Sequence, residues 1–492
     1  MQIPTLTKTK INSGLQCQKK LWYDYHEPIK SDNFLFHLGN RFGEVIRNNY
    51  GKGLDLSNIF DNEKAVKETK EALLSQDINV IYEAAFIYLD TLVRTDVLVR
   101  AKKGWQLLEA KSSTKLKDEH IPDIAIQSFI VRASGINLTK MKLLHINSNF
   151  IYEGNKNYKN LINEVDVTEE VALRENEVAN HINNFKSFVD KNSPCPEIET
   201  GPHCTKPHDC IYQSRCNSVK EKPAKVSYEI LPNKGKKLPI YCKENDIVNL
   251  EDVPPEKLND NHKVIQAAHK SNEEWISDEL KSILTGFEWP FYFIDFETIN
   301  QGVPIVKGTG PYYAMPFQWS VHKWNSPDKE MKLEDGMSFL DFESQDLELQ
   351  FVKSLLKAVE DKGTIFAHNA PTEKNVLKKL KEKDSCKHLA LQIDALLTRV
   401  VDTLVIVKKN FYHPKMNGEY GIKKIIKSIP ASISYEEEDN IEGGNGAQLA
   451  WFIYTDPKTK ENEKNKQIKL LKEYCAKDTM AIYDLIKYLI TK

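Results

Sequence analysis

The chain has 492 residues, 40% of them hydrophobic and 28% charged, which is the composition of a soluble globular protein of roughly two to four domains. Lysine and arginine number 68 against 70 aspartate and glutamate, for a net charge of −2; this neither demands nor excludes a nucleic-acid partner, which needs only a local basic surface. No run approaches about 18 consecutive apolar residues, which argues against a membrane partner, and MQIPTLTKTKINSGLQCQKK lacks the apolar stretch of a secretory signal.

In chain order, helical patterns come first, followed by NVIYEAAFIYLDTLVRTDVLVRAKKGWQLLEAKSS, in which apolar residues alternate or run between turn signals, as strands require. Helices are predicted from about Ile121 to Gly135 and from Thr168, as N-cap, to Val189. GPHCTKPHDCIYQSRC then places Cys204, Cys210 and Cys216 at equal intervals. The eight cysteines, with no export signal, point to a reducing, cytoplasmic setting, where thiols and metal ligands outnumber disulfides. Residues 221–285, rich in Lys, Pro and Asn, read as a connector with a helix around Asn261–Leu284. From 286 strands and helices alternate: the strand of WPFYFIDFETIN, a Pro/Gly-rich loop, the strand FQWSVHKW, a helix near 342–360, the strand GTIFAHN, a helix at 373–383, a strand near 400–405 and a C-terminal helix from about 465. The fold class is α/β, with domains at 1–220 and 286–492 joined by the connector at 221–285. The basic clusters KKLKEK and GIKKIIK read as solvated helix faces.

Two constellations of carboxylates carry chemistry. In RTDVLVRAKKGWQLLEAKSS, Asp96 lies on one strand and Glu109 on the next, joined by a turn at Lys103-Gly104. Glu109 and Lys111, two apart, face one side. Paired strands would let Asp96 and Glu109 share a divalent cation beside Lys111, an arrangement suited to phosphodiester hydrolysis. With Gln127 in DIAIQSF on the following helix, this set resembles the RecB-like branch of the PD-(D/E)XK nucleases. The resemblance implies metal ligands in Asp96 and Glu109, and catalytic roles for Asp96, Glu109, Lys111 and Gln127. The chain departs from that family at Val131, where a tyrosine is usual, and at Gly43, in the place of a histidine ligand, with the neighbouring Glu44 as its substitute.

Within this resemblance the cysteines gain a partner. Iron–sulfur members of the branch, such as AddB and the nuclease of the CRISPR adaptation module, hold one cysteine before the nuclease core and three after it. KTKINSGLQCQKKLWYDY supplies Cys17, and the resemblance implies a [4Fe–4S] cluster on Cys17, Cys204, Cys210 and Cys216. Zinc is the second reading, because the spacing differs from the C-x2-C-x5-C of those relatives, and Cys195 is the alternative ligand. Cys242, Cys386 and Cys475 read as buried small hydrophobes.

The second constellation begins with Asp295 and Glu297 at a strand end, continues with Glu373 after IFAHN, and ends with Tyr474 and Asp478 at i, i+4 in the last helix. In this order the residues resemble the DEDDy 3′→5′ exonucleases of the RNase H-like fold. That implies Asp295, Glu297, Glu373 and Asp478 as ligands of Mg²⁺ or Mn²⁺, Tyr474 as a catalytic residue orienting water, and Asp402 of VVDTLVIV as an auxiliary or alternative ligand. Tyr312 and Tyr313, in the loop after the first strand, are read as stacking on terminal bases, and Phe317 as either stacking or core. The combined resemblance is to prokaryotic fusions of the two nucleases. It implies a metal-dependent nuclease acting on DNA at strand ends, in repair or defence against foreign DNA. The alternatives are a single active module, an RNA exonuclease, and a non-catalytic nucleic-acid-binding scaffold.

Overall fold

The alternating run after residue 79 folds as three consecutive antiparallel strands, Val80–Tyr88, Thr91–Ala101 and Gly104–Lys111, with the last two turning at Lys103-Gly104. The architecture, from a computed structural model describing residues 6–29, 34–218, 225–435 and 443–492, is α/β. It divides into two units: Met1–Glu221 with Gln301–Tyr313, and Lys222–Asn300 with Ala314–Lys492.

In unit 1 the three strands are extended by Leu54–Asp55 on one side and by Leu138–Ile146 and Ile162–Asp166 on the other; Leu6–Thr7 pairs with the start of Thr91–Ala101. Strand alternation gives the sheet two apolar faces. Leu98 and Leu107 pack with Ile124 and Ile130 of the helix His120–Ala133 and with Ile182 of Thr168–Lys186. Tyr82, Val97 and Leu108 pack on the other face with Phe42, Val45 and Ile46 of the helix Phe34–Tyr50. Val303 and Tyr312 join this second core, and backbone bonds from Tyr152 to Thr309 (2.9 Å) and from Gly308 to Tyr152 (2.8 Å) hold their segment. The loop expected beside the second carboxylate set therefore belongs to unit 1, because its apolar residues are buried there.

In unit 2 the sheet order is Met337–Leu340, Tyr313–Trp324, Phe291–Gln301, Thr364–Ala367, Val400–Asp402. The strand Phe291–Gln301 is apolar on both faces. Phe291 and Phe293 meet Tyr483 and Ile486 of the C-terminal helix Glu461–Ile490, whereas Tyr292, Ile294 and Phe296 meet Phe351, Leu355 and Leu377 of two helices on the other side. Phe317 is fully buried, which settles it as core.

Residues of the expected connector, among them Leu231, Leu250 and Ile265, share one core with Phe291 and Ile486, so the segment is an integral part of unit 2. Its single expected helix is two: Asp260–Ser271 ends at Asn272 in the left-handed region (φ 56°), which asparagine tolerates, and Leu280–Thr285 follows a short strand. The strand near 400–405 ends at Asp402, whose carboxylate accepts from Leu404 N (2.9 Å) and caps the helix Thr403–Asn410. Among the described residues, no helix is long and apolar enough to cross a membrane.

Candidate metal centres

In unit 1 the hairpin register sets Asp96 one step beyond the Val97–Leu108 pair, opposite Glu109, and the Asp96 carboxylate accepts from Ala110 N (2.6 Å). Glu109 is buried, and both of its oxygens are occupied by side chains. Its Oε1 receives the ammonium groups of Lys111 and Lys8, each at 2.8 Å, and its Oε2 the Gln127 amide at 2.7 Å. Asp123, one helical turn before Gln127, pairs with Lys111, lies 3.6 Å from Lys8, and accepts from Asn12 Nδ2 (2.7 Å). Burial and Asp96 push the Glu109 carboxyl up, but Lys111 and Lys8 outweigh them and hold it below its ordinary value. Both ammonium groups are held charged by these carboxylates against the opposing effect of burial.

A cavity of about 360 Å³ adjoins this site and is lined by Asp96, Gly43 and Glu83. Glu44 is exposed and is not among the residues lining it, so the expected substitute for the missing histidine does not border this cavity. Glu83 is the carboxylate facing the same space; it stands in the left-handed region (φ 56°) inside a strand and lies 3.8 Å from Arg94. Such a conformation is strained for glutamate. Val131 is fully buried in the core, and Tyr312 donates to Ser112 O (2.5 Å), close to Lys111.

Cys17, Cys204, Cys210 and Cys216 line one small cavity in unit 1. The N-terminal helices Lys8–Gln16 and Gln18–His26 are fastened to the segment after residue 187. Gln16 Nε2 donates to His203 O and His208 O (2.8 and 2.7 Å), Trp22 to Ser193 O (2.8 Å), and Tyr212 OH to Asp24 (2.8 Å). Gly201 N donates to Cys204 Sγ (3.4 Å), a bond that suits a thiolate. Burial raises the Cys210, Cys216 and Cys195 thiols. Cys195 bonds to Tyr23 and does not line the cavity. Among the described residues, no three of these cysteines bring their sulfurs within 4.8 Å of one another.

In unit 2, Asp295 and Glu297 continue the face of Phe291 and Phe293 beyond the core, toward the C-terminal helix. Asp478 of that helix completes a set whose oxygens lie within 4.8 Å of one another. Glu373 sits beside them at the start of the helix Pro371–Glu382, and its Oε2 is buried without a hydrogen bond. Burial first, and then mutual repulsion, push the Asp295 and Glu297 carboxyls well up; burial also raises Asp478, against its tyrosine hydrogen bonds and nearby lysines. Burial raises Glu373 to about 7. Carboxylates assembled this closely, one with an unsatisfied oxygen, are a donor set that divalent cations complete.

A family model described as a domain of unknown function, DUF2779, matches residues 292–421. No curated protein matches the chain. The matched segment contains Asp295, Glu297, Glu373 and Asp402, and ends before Tyr474 and Asp478.

Asp402 is engaged with backbone N–H groups of Asn369 (3.0 Å) and Leu404 and reaches this set through its charge on Glu373. Tyr474 bonds to Asp478, as does Tyr435, whose hydroxyl donates to Asp478 at 2.6 Å. Burial and the neighbouring Asp478 push both phenols upward, so both remain donors. Lys423, from the basic cluster GIKKIIK, stands 4.9 Å from the ring centres of both tyrosines and makes no ion pair among the described residues. Cys475 is buried, as expected, and its thiol also donates to Asp295 Oδ2 (3.4 Å).

Tyr435, Lys423 and Lys8 were beyond sequence reasoning, because each reaches its site from an element remote in sequence; Glu83 lies on the strand next to that of Asp96 but has no motif to mark it. Asp123 had a signal, the i, i+4 spacing to Gln127 on one helix.

Proposed function

We propose that this chain is a divalent-metal-dependent nuclease that hydrolyses DNA phosphodiester bonds at strand ends, with one hydrolytic site in each unit, in repair or defence against foreign DNA. The observation that carries the reading is the unit 2 set of Asp295, Glu297 and Asp478 within 4.8 Å, with the unpartnered buried oxygen of Glu373 beside it. Mg²⁺ or Mn²⁺ held there would neutralise phosphate charge and acidify water. Tyr474 and Tyr435, anchored on Asp478, orient that water, and Lys423 offers its ammonium to a phosphate oxygen. In unit 1, Asp96 and Glu109 are the proposed ligands, Gln127 fixes Glu109, and Lys111 stabilises charge developing on the phosphate. The four cysteines are proposed to hold a [4Fe–4S] cluster that fastens the N-terminal helices to the end of the unit.

A second reading, in which unit 2 alone is catalytic, is favoured by one observation: both Glu109 oxygens are already taken by protein side chains. End-labelled single- and double-stranded DNA and RNA, incubated with Mg²⁺ or Mn²⁺ and the Lys111→Ala or Asp295→Ala/Glu297→Ala protein, separates the two. Two sites predict that each variant loses part of the cleavage. Loss of all cleavage in the second variant and none in the first leaves unit 2 alone. Absence of metal-dependent products from the unaltered protein overturns both readings.

A further inference from the structure

The unit 1 site contains one lysine more than its carboxylate motif calls for. Lys8 opens the helix Lys8–Gln16, and Asn12, one turn later on the same face, reaches Asp123. This helix is thus a wall of the site. Lys8 Nζ lies 2.8 Å from Glu109 and 3.6 Å from Asp123, and shares Glu109 Oε1 with Lys111. A single ammonium on that oxygen would satisfy a structural ion pair. With Glu83 matched by Arg94 (3.8 Å), the second lysine leaves three carboxylates, Asp96, Glu109 and Asp123, facing two cations. A divalent cation added to that set leaves one net positive charge, the complement of a singly charged phosphodiester; without Lys8 the loaded site would be neutral. The Lys8 side chain is 22% exposed, and next to it Thr9, Asn12, Lys111 and Asp123 line a cavity of about 890 Å³, which gives a substrate room beside the paired ammonium groups.

We propose that Lys8 is a second phosphate-binding residue of unit 1, released from Glu109 when a cation binds there. The inference rests on the nuclease reading of unit 1. The test uses the full-length chain with Asp295→Ala/Glu297→Ala in place, so that the remaining cleavage belongs to unit 1. Into it are placed Lys8→Met, which keeps the apolar stem, Lys8→Arg, and Lys111→Ala, with melting curves confirming that each folds. Lys8→Met is expected to lower kcat on an end-labelled oligonucleotide about 100-fold, with KM changed less than about threefold, and Lys8→Arg to restore most of the loss. Mn²⁺ affinity, read by electron paramagnetic resonance without nucleic acid, is expected to stay level or tighten in Lys8→Met, since a competing cation is gone. Undiminished kcat, or a fall in Mn²⁺ affinity as large as the fall in kcat, overturns the proposal and makes Lys8 a prop for the carboxylates. If Lys111→Ala loses cleavage and Lys8→Met does not, only the Lys8 proposal fails. If neither changes it, or none remains in the parent, the unit 1 reading fails with it.

Discussion

The two carboxylate sites solve the same electrostatic problem in opposite ways. In unit 1 the buried Glu109 is matched by two lysines and a glutamine, so it is ionised without a metal. In unit 2 Asp295, Glu297 and Asp478 crowd together with Glu373, and the nearby lysines, Lys423 beside Glu297 and Asp478 and Lys477 beside Asp478, do not outweigh burial. Burial and repulsion there hold protons on the carboxyls. A motif shared in outline, acids at strand ends, thus yields one site whose charge is matched by protein cations and one whose charge is held down by retained protons. The difference is testable by removing charge from each.

The largest expected effects are on cleavage. Asp295→Ala/Glu297→Ala should reduce the unit 2 contribution by about 10³ or more, and Lys111→Ala the unit 1 contribution by about 10²–10³, measured on end-labelled DNA. Equal residual activity in both variants would erase the distinction.

Stability should move in opposite directions. Glu109→Gln leaves two ammonium groups to share Asp123 and should cost about 3 kcal/mol in metal-free protein, whereas Glu297→Gln removes a crowded charge and should gain about 1–2 kcal/mol at pH 8. Thermal or urea melting reads both. The pH dependence follows the same logic. The unit 2 carboxyls keep their protons to higher pH folded than unfolded, so their contribution to the stability of metal-free protein is complete below about pH 4 and fades as pH rises through about 7 for Glu373. Glu109, held low, contributes above the ordinary carboxylate range and loses that contribution as pH falls through its folded value. Metal-free unit 2 should therefore melt at a lower temperature at pH 8 than at pH 5.

The cysteine cluster sharpens the comparison within unit 1. Cys17→Ser should abolish the brown colour of a cluster and cost roughly 2–4 kcal/mol in unit 1, with little effect on unit 2 melting. A colourless protein with stoichiometric zinc would replace the cluster by the second reading. The smallest effect is expected from Lys423→Ala: KM raised roughly tenfold, with the salt dependence of binding reduced by about one phosphate contact.

The sequence made legible those parts of the two sites that are close in the chain. Glu109 and Lys111 share a strand face, Asp295 and Glu297 share another, and Tyr474 and Asp478 share a helix face; in each, the period of the element dictates the geometry. Residues brought in by tertiary packing had no such signature. Lys8 reaches Glu109 across 101 positions and Tyr435 reaches Asp478 across 43. Tyr312 shows the same limit: its loop follows a unit 2 strand, but Val303 is buried and Tyr312 half-buried on the unit 1 sheet. Apolarity shows that a residue is buried, not where.

The most direct test of the account is Mn²⁺ binding followed calorimetrically at pH 7 in two buffers of different ionisation enthalpy, which counts the protons released. Two proteins are compared, one keeping only the unit 2 carboxylates (Asp96→Asn/Glu109→Gln) and one keeping only those of unit 1 (Asp295→Asn/Glu297→Gln). The first should release about one proton or more per protein, with affinity rising as pH rises, and the second close to none. Equal proton release from the two, or no Mn²⁺ binding to the first, would contradict it.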